Sequence, residues 1–162
     1  HGWHLGEKGH WHKTTLWEEA TRIPLIVVAP DVTRPDLRCS RPASLVDIYP
    51  TLIDLCRLTR KQELDGMSLT PWLRDPEMRR ERPVLSTRGY GNHALRSDRW
   101  RYIRYGDGSE ELYDHDVDPS ERTNLADKAE HSDLKKKLAH WFPENNAESA
   151  AYDKGKKAPQ KK

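Results

Sequence analysis

Along the chain, apolar and polar positions alternate in ways that change four times. Residues 1–22 mix His, Trp, Gly and charged side chains with little periodicity. That pattern predicts a loop running into a short helix near Thr15–Ala20, with Gly2, Gly6 and Gly9 allowing tight turns that bring side chains together. Ile23-Pro24-Leu25-Ile26-Val27-Val28-Ala29-Pro30 follows. Its β-branched, two-sided apolar character predicts a strand buried on both faces, as in a parallel sheet, ended by Pro30-Asp31. Ser44 then offers an N-cap with Asp47 three residues on. Val46, Ile48, Tyr49, Leu52, Ile53, Cys56 and Leu58 recur at helical spacing, predicting an amphipathic helix of about four turns that Pro50 kinks or restarts. A strand and the helix that covers it are the signature of an α/β fold.

Leu64-Asp65-Gly66-Met67-Ser68-Leu69 reads as a turn with apolar anchors, sealed by Trp72-Leu73, and the charged run Met78–Arg82 reads as a boundary. Beyond it, Val84–Thr87, His93–Ser97, Arg99–Tyr105 and Glu111–Tyr113 are short strand patterns. Gly89, Gly91 and Ser97-Asp98 punctuate them, and Gly106-Asp107-Gly108 is a hairpin turn. Leu134, Leu138 and Trp141-Phe142 predict a helix over Asp133–Phe142 packed on this antiparallel sheet. The lysine-rich stretch 145–162 has no apolar period and predicts a disordered basic tail. The expected organisation is therefore residues 1–80 as the end of an α/β domain, 81–144 as a small α+β subdomain, and then the tail.

Composition narrows the classes of function. Lys+Arg (28) and Asp+Glu (26) nearly balance, which argues against a dedicated nucleic-acid binder. The longest apolar run falls well short of the ~20 residues a membrane helix needs. Cys39 and Cys56 form neither a CxxC pair nor a disulfide framework, so they do not fix a redox compartment.

The densest candidate chemistry is His1-Gly2-Trp3-His4-Leu5-Gly6-Glu7-Lys8-Gly9-His10-Trp11-His12-Lys13. Taken alone it is a Gly-rich loop with three open readings: a solvated loop, a zinc site using His10 with His12 or His1 with His4, or an aromatic rim that stacks on sugars. No HExxH or Cys/His pattern supports zinc. The acidic run Asp114, His115, Asp116, Asp118 and Glu121 lacks EF-hand spacing and reads as a strand end followed by a turn at Asp118-Pro119-Ser120-Glu121.

Four blocks together change the weighting. The His1–Lys13 loop continues through Thr15-Leu16-Trp17-Glu18 and Arg22-Ile23-Pro24-Leu25-Ile26. Ser44–Leu55, Leu64–Leu69 and the Leu112-Tyr113-Asp114…Asp118-Pro119-Ser120-Glu121…Asn124-Leu125-Ala126 block follow in order. This arrangement resembles the C-terminal part of formylglycine-dependent sulfatases, in the alkaline phosphatase-like superfamily, with a Trp- and His-rich opening most like the iduronate sulfatase branch.

The resemblance implies a sulfuric ester hydrolase acting on a sulfated small molecule or glycan, such as an iduronate-type sugar. It implies His1 as a ligand of a divalent metal, usually calcium, and Lys13 as a contact to the sulfate group. It also places Trp3, His4, Trp11 and His12 along the substrate pocket. Calcium prefers oxygen ligands, so an imidazole at His1 leaves the metal's identity open. The formylglycine nucleophile arises from a Cys/Ser-x-Pro-x-Arg motif. Cys39-Ser40-Arg41-Pro42-Ala43 does not match it, because Arg and Pro are in the wrong order. The motif is expected upstream, and the chain alone is expected to be inactive. A phosphoester or phosphonate hydrolase and a non-catalytic truncated product remain as alternatives. Localisation stays open, with periplasmic, secreted or lysosomal-type compartments compatible with the resemblance.

Overall fold

The computed structural model describes residues 2–146; His1 and residues 147–162, the greater part of the expected tail, lie outside the described residues. Its organising element is a four-stranded antiparallel meander, β1 (Val84–Thr87), β2 (His93–Arg96), β3 (Trp100–Arg104) and β4 (Glu110–Asp114), in the order β1-β2-β3-β4. The short strands expected between turn residues all form, within one or two residues of their expected ends. Leu95 lies opposite Tyr102, and Tyr102 opposite Leu112. Because side chains alternate across a strand, this register sorts the sheet into two different faces.

One face is apolar. Leu95, Tyr102 and Leu112 are enclosed with Ala126 and Leu138, and Trp100, Leu125, Leu134 and Phe142 pack around them. Leu138 and Leu134 come from α4 (Ser132–Ala139), the expected C-terminal helix, entered through a single 3-10 turn at Ala129–His131. Each fully buried large side chain here contributes about 1.5–3 kcal/mol. The opposite face carries Ala94, Arg96, Arg101, Ile103, Glu111 and Tyr113 in register. It is covered by the N-terminal segment, with Leu16 buried against Ala94, Ile103 and Tyr113 and with Trp17 beside them.

The N-terminal segment contains a 3-10 turn at Glu7–Gly9 and a short helix, α1 (Glu18–Thr21). Further along, Leu45–Asp47 forms a 3-10 turn that runs into α2 (Ile48–Leu55), and α3 spans Thr70–Arg74. Pro50 falls in the first turn of α2, where its missing N–H has no helical acceptor to leave unpaired. Asp47, 1% exposed, organises this region: its Oδ2 accepts the Ser44 N–H (2.9 Å) and pairs with Arg80 (3.0 Å), and its Oδ1 accepts the Met67 N–H (3.0 Å). The Leu64–Leu69 turn is thus tied to the start of α2. Gly66 is required there, since a Cβ would overlap the Val46 carbonyl.

One expectation fails. Ile23–Pro30 is irregular and exposed, with Ile26 84% and Val28 85% accessible. A strand needs a neighbour to pair its backbone groups, and the sheet of the described residues is made wholly from residues 84–114. The apolar pattern is therefore present without a partner strand. Among the described residues no helix is long and apolar enough to cross a membrane.

Candidate functional site

The polar face of the sheet holds the loop in which most of the candidate chemistry lies. The first anchor is Glu111 on β4. Its Oε2 accepts Trp17 Nε1–H (2.6 Å) and Tyr113 O–H (2.6 Å), and its Oε1 accepts Tyr105 O–H (3.0 Å). Lys8 reaches in from the loop. Its Nζ donates to Tyr113 Oη (2.7 Å) and stands 4.4 Å from the Trp17 ring centroid, 4.1 Å from that of Tyr113 and 3.8 Å from Glu111. Burial lowers the Lys8 pKa, opposed by the Glu111 charge. Burial and the neighbouring carboxylate push the Tyr113 phenol far above its ordinary range.

The second anchor is Arg101 on β3, 1% exposed. Its Nη1 donates to the Leu16 carbonyl (2.9 Å), and its Nη2 donates to Thr21 Oγ1 (3.0 Å) and to Glu18. Its Nε donates to Glu121, which is fully buried. Glu121 Oε2 in turn accepts the Glu18 N–H (2.9 Å) at the start of α1. His115 completes the cluster: its Nε2–H donates to Glu121 Oε1 (2.9 Å), and its Nδ1 accepts from Arg96 Nη2 (3.0 Å). A carboxylate accepts and a guanidinium only donates, so these two partners fix one neutral tautomer. Burial pushes the Glu121 carboxyl upward. The His115 hydrogen bond, the Arg101 charge and the Glu18 N–H outweigh it, leaving the pKa below the usual range.

Between Lys8 and Leu16 in the chain lies Lys13, exposed, with Thr14 beside it in the left-handed region at φ 78. That conformation is unfavourable for a β-branched residue and turns the chain sharply after Lys13. Trp3 (55% accessible) and Trp11 (68%) stand on the surface, and Trp3 meets His12 edge-on at 6.5 Å between ring centroids. Trp3, Trp11, His12 and Lys13 thus share the exposed part of one loop. His4 does not. It is completely enclosed beneath the loop, edge-on to Trp17 and His10, with Nε2 2.8 Å from Thr15 Oγ1. Its expected place along a pocket is corrected accordingly: packing against Trp17 removes it from the surface.

The metal ligand expected at His1 lies outside the described residues. Among the described residues, His10 and His12 gain no third ligand for a zinc ion. Among the described residues the one group of acids and imidazoles whose ligand atoms converge is Glu18, His115 and Glu121. That group does not fit a divalent cation, because the Arg101 guanidinium already donates to both carboxylates and Arg96 lies 3.4 Å from Glu18. No metal step is derived from it. Cys39 is exposed, its Sγ–H donating to the Pro76 carbonyl (3.4 Å), consistent with an ordinary loop thiol.

Arg101, Glu111 and Arg96 do not stand out for chemistry in the sequence, and Glu121 does so only within the acidic run. The available signal was the acidic block around Glu121, which reads as a turn. It is one, with the Glu121 N–H donating to the Asp118 carbonyl (3.1 Å). Nothing local shows that its side chain turns inward to a partner far away in the chain.

Comparison with known proteins places this architecture. The family described as N-sulphoglucosamine sulphohydrolase, C-terminal, matches residues 6–148. A sulfatase from Formosa agariphila is 35% identical over 91% of this chain, and arylsulfatase K from Gallus gallus is 37% identical over 78%. The chain spans 29% and 26% of the length of these two relatives. Among solved structures, BT4656, determined in complex with its substrate D-glucosamine-2-N,6-O-disulfate, aligns with a TM-score of 0.67 at 25% identity, over 85% of this chain and 30% of its own. The phosphonate monoester hydrolase SpPMH from Silicibacter pomeroyi aligns with a TM-score of 0.66 at 25% identity, over 84% of this chain and 31% of its own. The fold is thus α/β of the alkaline phosphatase-like sulfatase type, here represented by its antiparallel sheet and packed helices. With the match running over most of its length, the chain belongs to the N-sulphoglucosamine sulphohydrolase C-terminal family of sulfatases.

Proposed function

We propose that these residues serve a sulfuric ester hydrolase acting on a sulfated sugar, with Lys13 as the contact to the sulfate group. The observation that carries this reading is the loop itself: exposed Lys13 on the same loop as exposed Trp3, Trp11 and His12, anchored at Lys8 and Leu16 to the sheet. In breaking an ester S–O bond, negative charge shifts onto the sulfate and leaving oxygens, and a fixed ammonium stabilises that charge. Trp3 and Trp11 offer flat apolar surfaces of the kind that stack on sugar faces. That BT4656 was solved with a sulfated glucosamine supports a sugar substrate, and the Trp- and His-rich opening supports an iduronate-type one.

A divalent metal at His1, calcium in this reading, would supply Lewis-acid stabilisation of the same charge. The formylglycine nucleophile is expected outside these residues, since no Cys/Ser-x-Pro-x-Arg motif occurs among them. In this organisation residues 1–80 close the catalytic α/β domain and residues 81–144 flank the substrate cleft.

The test is turnover by the full-length protein of a sulfated monosaccharide and of an aryl sulfate, with and without Lys13→Met. Loss of kcat on replacing Lys13 is the expected result. The likeness to a phosphonate monoester hydrolase favours one second reading, a phosphonate or phosphate ester as substrate. A higher kcat/KM on the phosphonate than on the sulfate ester would select it.

A further inference from the structure

Lys13 belongs to a loop with internal ties of its own, His4 N–H to the His12 carbonyl (3.4 Å) and Gly6 N–H to the His10 carbonyl (2.9 Å), and the residues on either side of it are also fastened to the sheet. Lys8 is held by Tyr113 and by the Glu111 charge. Three residues after Lys13, the Leu16 carbonyl accepts from Arg101, and Leu16 itself is buried at 4% accessibility. The Arg101 fork is nearly saturated: it reaches Leu16, Glu18, Thr21 and Glu121 with donors that a planar guanidinium holds in fixed directions. Glu121 closes the loop of contacts by accepting the Glu18 N–H.

Burying one guanidinium and two carboxylates is an expensive way to join a loop to a sheet. An apolar set of similar volume is often as stabilising or more so, and the best-attested use of such buried charge is to fix register. Here the register in question is that of segment 16–21 against β3. Sliding or rotating that segment would leave buried donors and carboxylates unpaired, which an apolar contact would not forbid.

We propose that Arg101, together with Glu121, is a positioning residue for the Lys13 ammonium, acting through the Leu16 carbonyl and the start of α1. This inference rests on the assignment of Lys13 to the sulfate group. Displacement of a charge-stabilising group by about 1 Å can lower a rate by about 10²-fold. The arginine therefore governs turnover without touching substrate.

The test uses the full-length protein and a sulfate ester, measuring kcat and KM for Arg101→Lys, Lys13→Met and the double variant. Arg101→Lys keeps the charge and removes the fork. The expected result is a fall in kcat of about 10²-fold with KM little changed, and a double variant no slower than Lys13→Met alone. Multiplying effects in the double variant, or an unchanged kcat in Arg101→Lys, would overturn the proposal. If Lys13→Met keeps its rate, the Lys13 assignment itself falls, and this inference falls with it. Should Arg101→Lys fail to fold, Glu121→Gln supplies a second arm. Faster amide exchange at Glu18 accompanied by a lower kcat supports positioning, and faster exchange at an unaltered kcat refutes it.

Discussion

Glu121 shows how much a single side chain can depend on its surroundings. Its carboxylate is fully buried and receives donors from Arg101, His115 and the Glu18 backbone. Replacing it with Ala removes all three and takes from the buried Arg101 guanidinium one of its two carboxylate partners, leaving Glu18. A loss of about 3–5 kcal/mol is expected, as for other buried pairs broken from one side, read by denaturant unfolding of the chain. Its folded pKa is below the ordinary value of 4.5. The stability it contributes is therefore complete above about that ordinary value and is lost as pH falls through the folded pKa. Glu121→Gln should flatten the acid limb of the stability–pH curve. At the other end of the scale, burial and the Glu110 carboxylate push the Tyr102 phenol up to about 12 from its ordinary 10.0. Here the protonated form is the one favoured by folding, so stability should decline between those two values as pH rises. Near-ultraviolet absorbance titration should show this phenol ionising late and together with unfolding. None of this was legible in the residues alone: Glu121 has its partners at Arg101 and Glu18, and spacing within the acidic block says nothing about residues so far upstream.

At the scale of elements, legibility followed local chemistry. The four strands are short runs separated by Gly- and Asp-containing turns, and all four form. The Ser44/Asp47 pair marked the start of a helix, and the Ser44 N–H to Asp47 contact is present. The helix expected to be kinked or restarted at Pro50 is a 3-10 turn followed by a shorter helix with Pro50 in its first turn, where proline is accommodated. Ile23–Pro30 is the opposite case. Its composition describes a surroundings-dependent element, and no strand among the described residues supplies the surroundings. What these short runs did not reveal is that the sheet has two unlike faces, one greasy and one charged. The apolar face yields a direct prediction. Leu138→Ala on α4, opposite Leu112 and Tyr102, should cost about 2–4 kcal/mol in thermal or chemical unfolding. Lys136→Ala, exposed on the same helix, should change stability by no more than about 0.5 kcal/mol.

For the whole molecule, the exposed apolar surface is the conspicuous property. Leu25, Ile26 and Val28 stand open to solvent beside a cleft of about 1110 Å³ lined by Arg22, Arg38, Arg41 and Arg80 among others. Contiguous apolar exposure of this kind marks a surface that associates. The 162-residue chain in isolation should self-associate with rising concentration. Ile26→Lys with Val28→Lys should suppress that association, read by light scattering, while leaving the unfolding midpoint within error. The same isolated chain should show no turnover of an aryl sulfate, because the nucleophile motif is not within it. Metal-dependent turnover by the pure chain would contradict that expectation.

The clamp also has a consequence in time. Its contacts join residues 85 positions apart, between Arg101 and Leu16, and 103 apart, between Glu18 and Glu121. A ribosome adding about 5–20 residues per second needs on the order of 5–20 s to travel from Glu18 to Glu121. For most of that interval the Lys13 loop is already made while Arg101, Glu111, Tyr113 and Glu121, which fasten it, are not, and its tryptophans are exposed to whatever binds nascent chains. Rare codons placed between positions 18 and 121 should lengthen this window and lower the yield of folded protein. The same codons placed after the end of α4 should not.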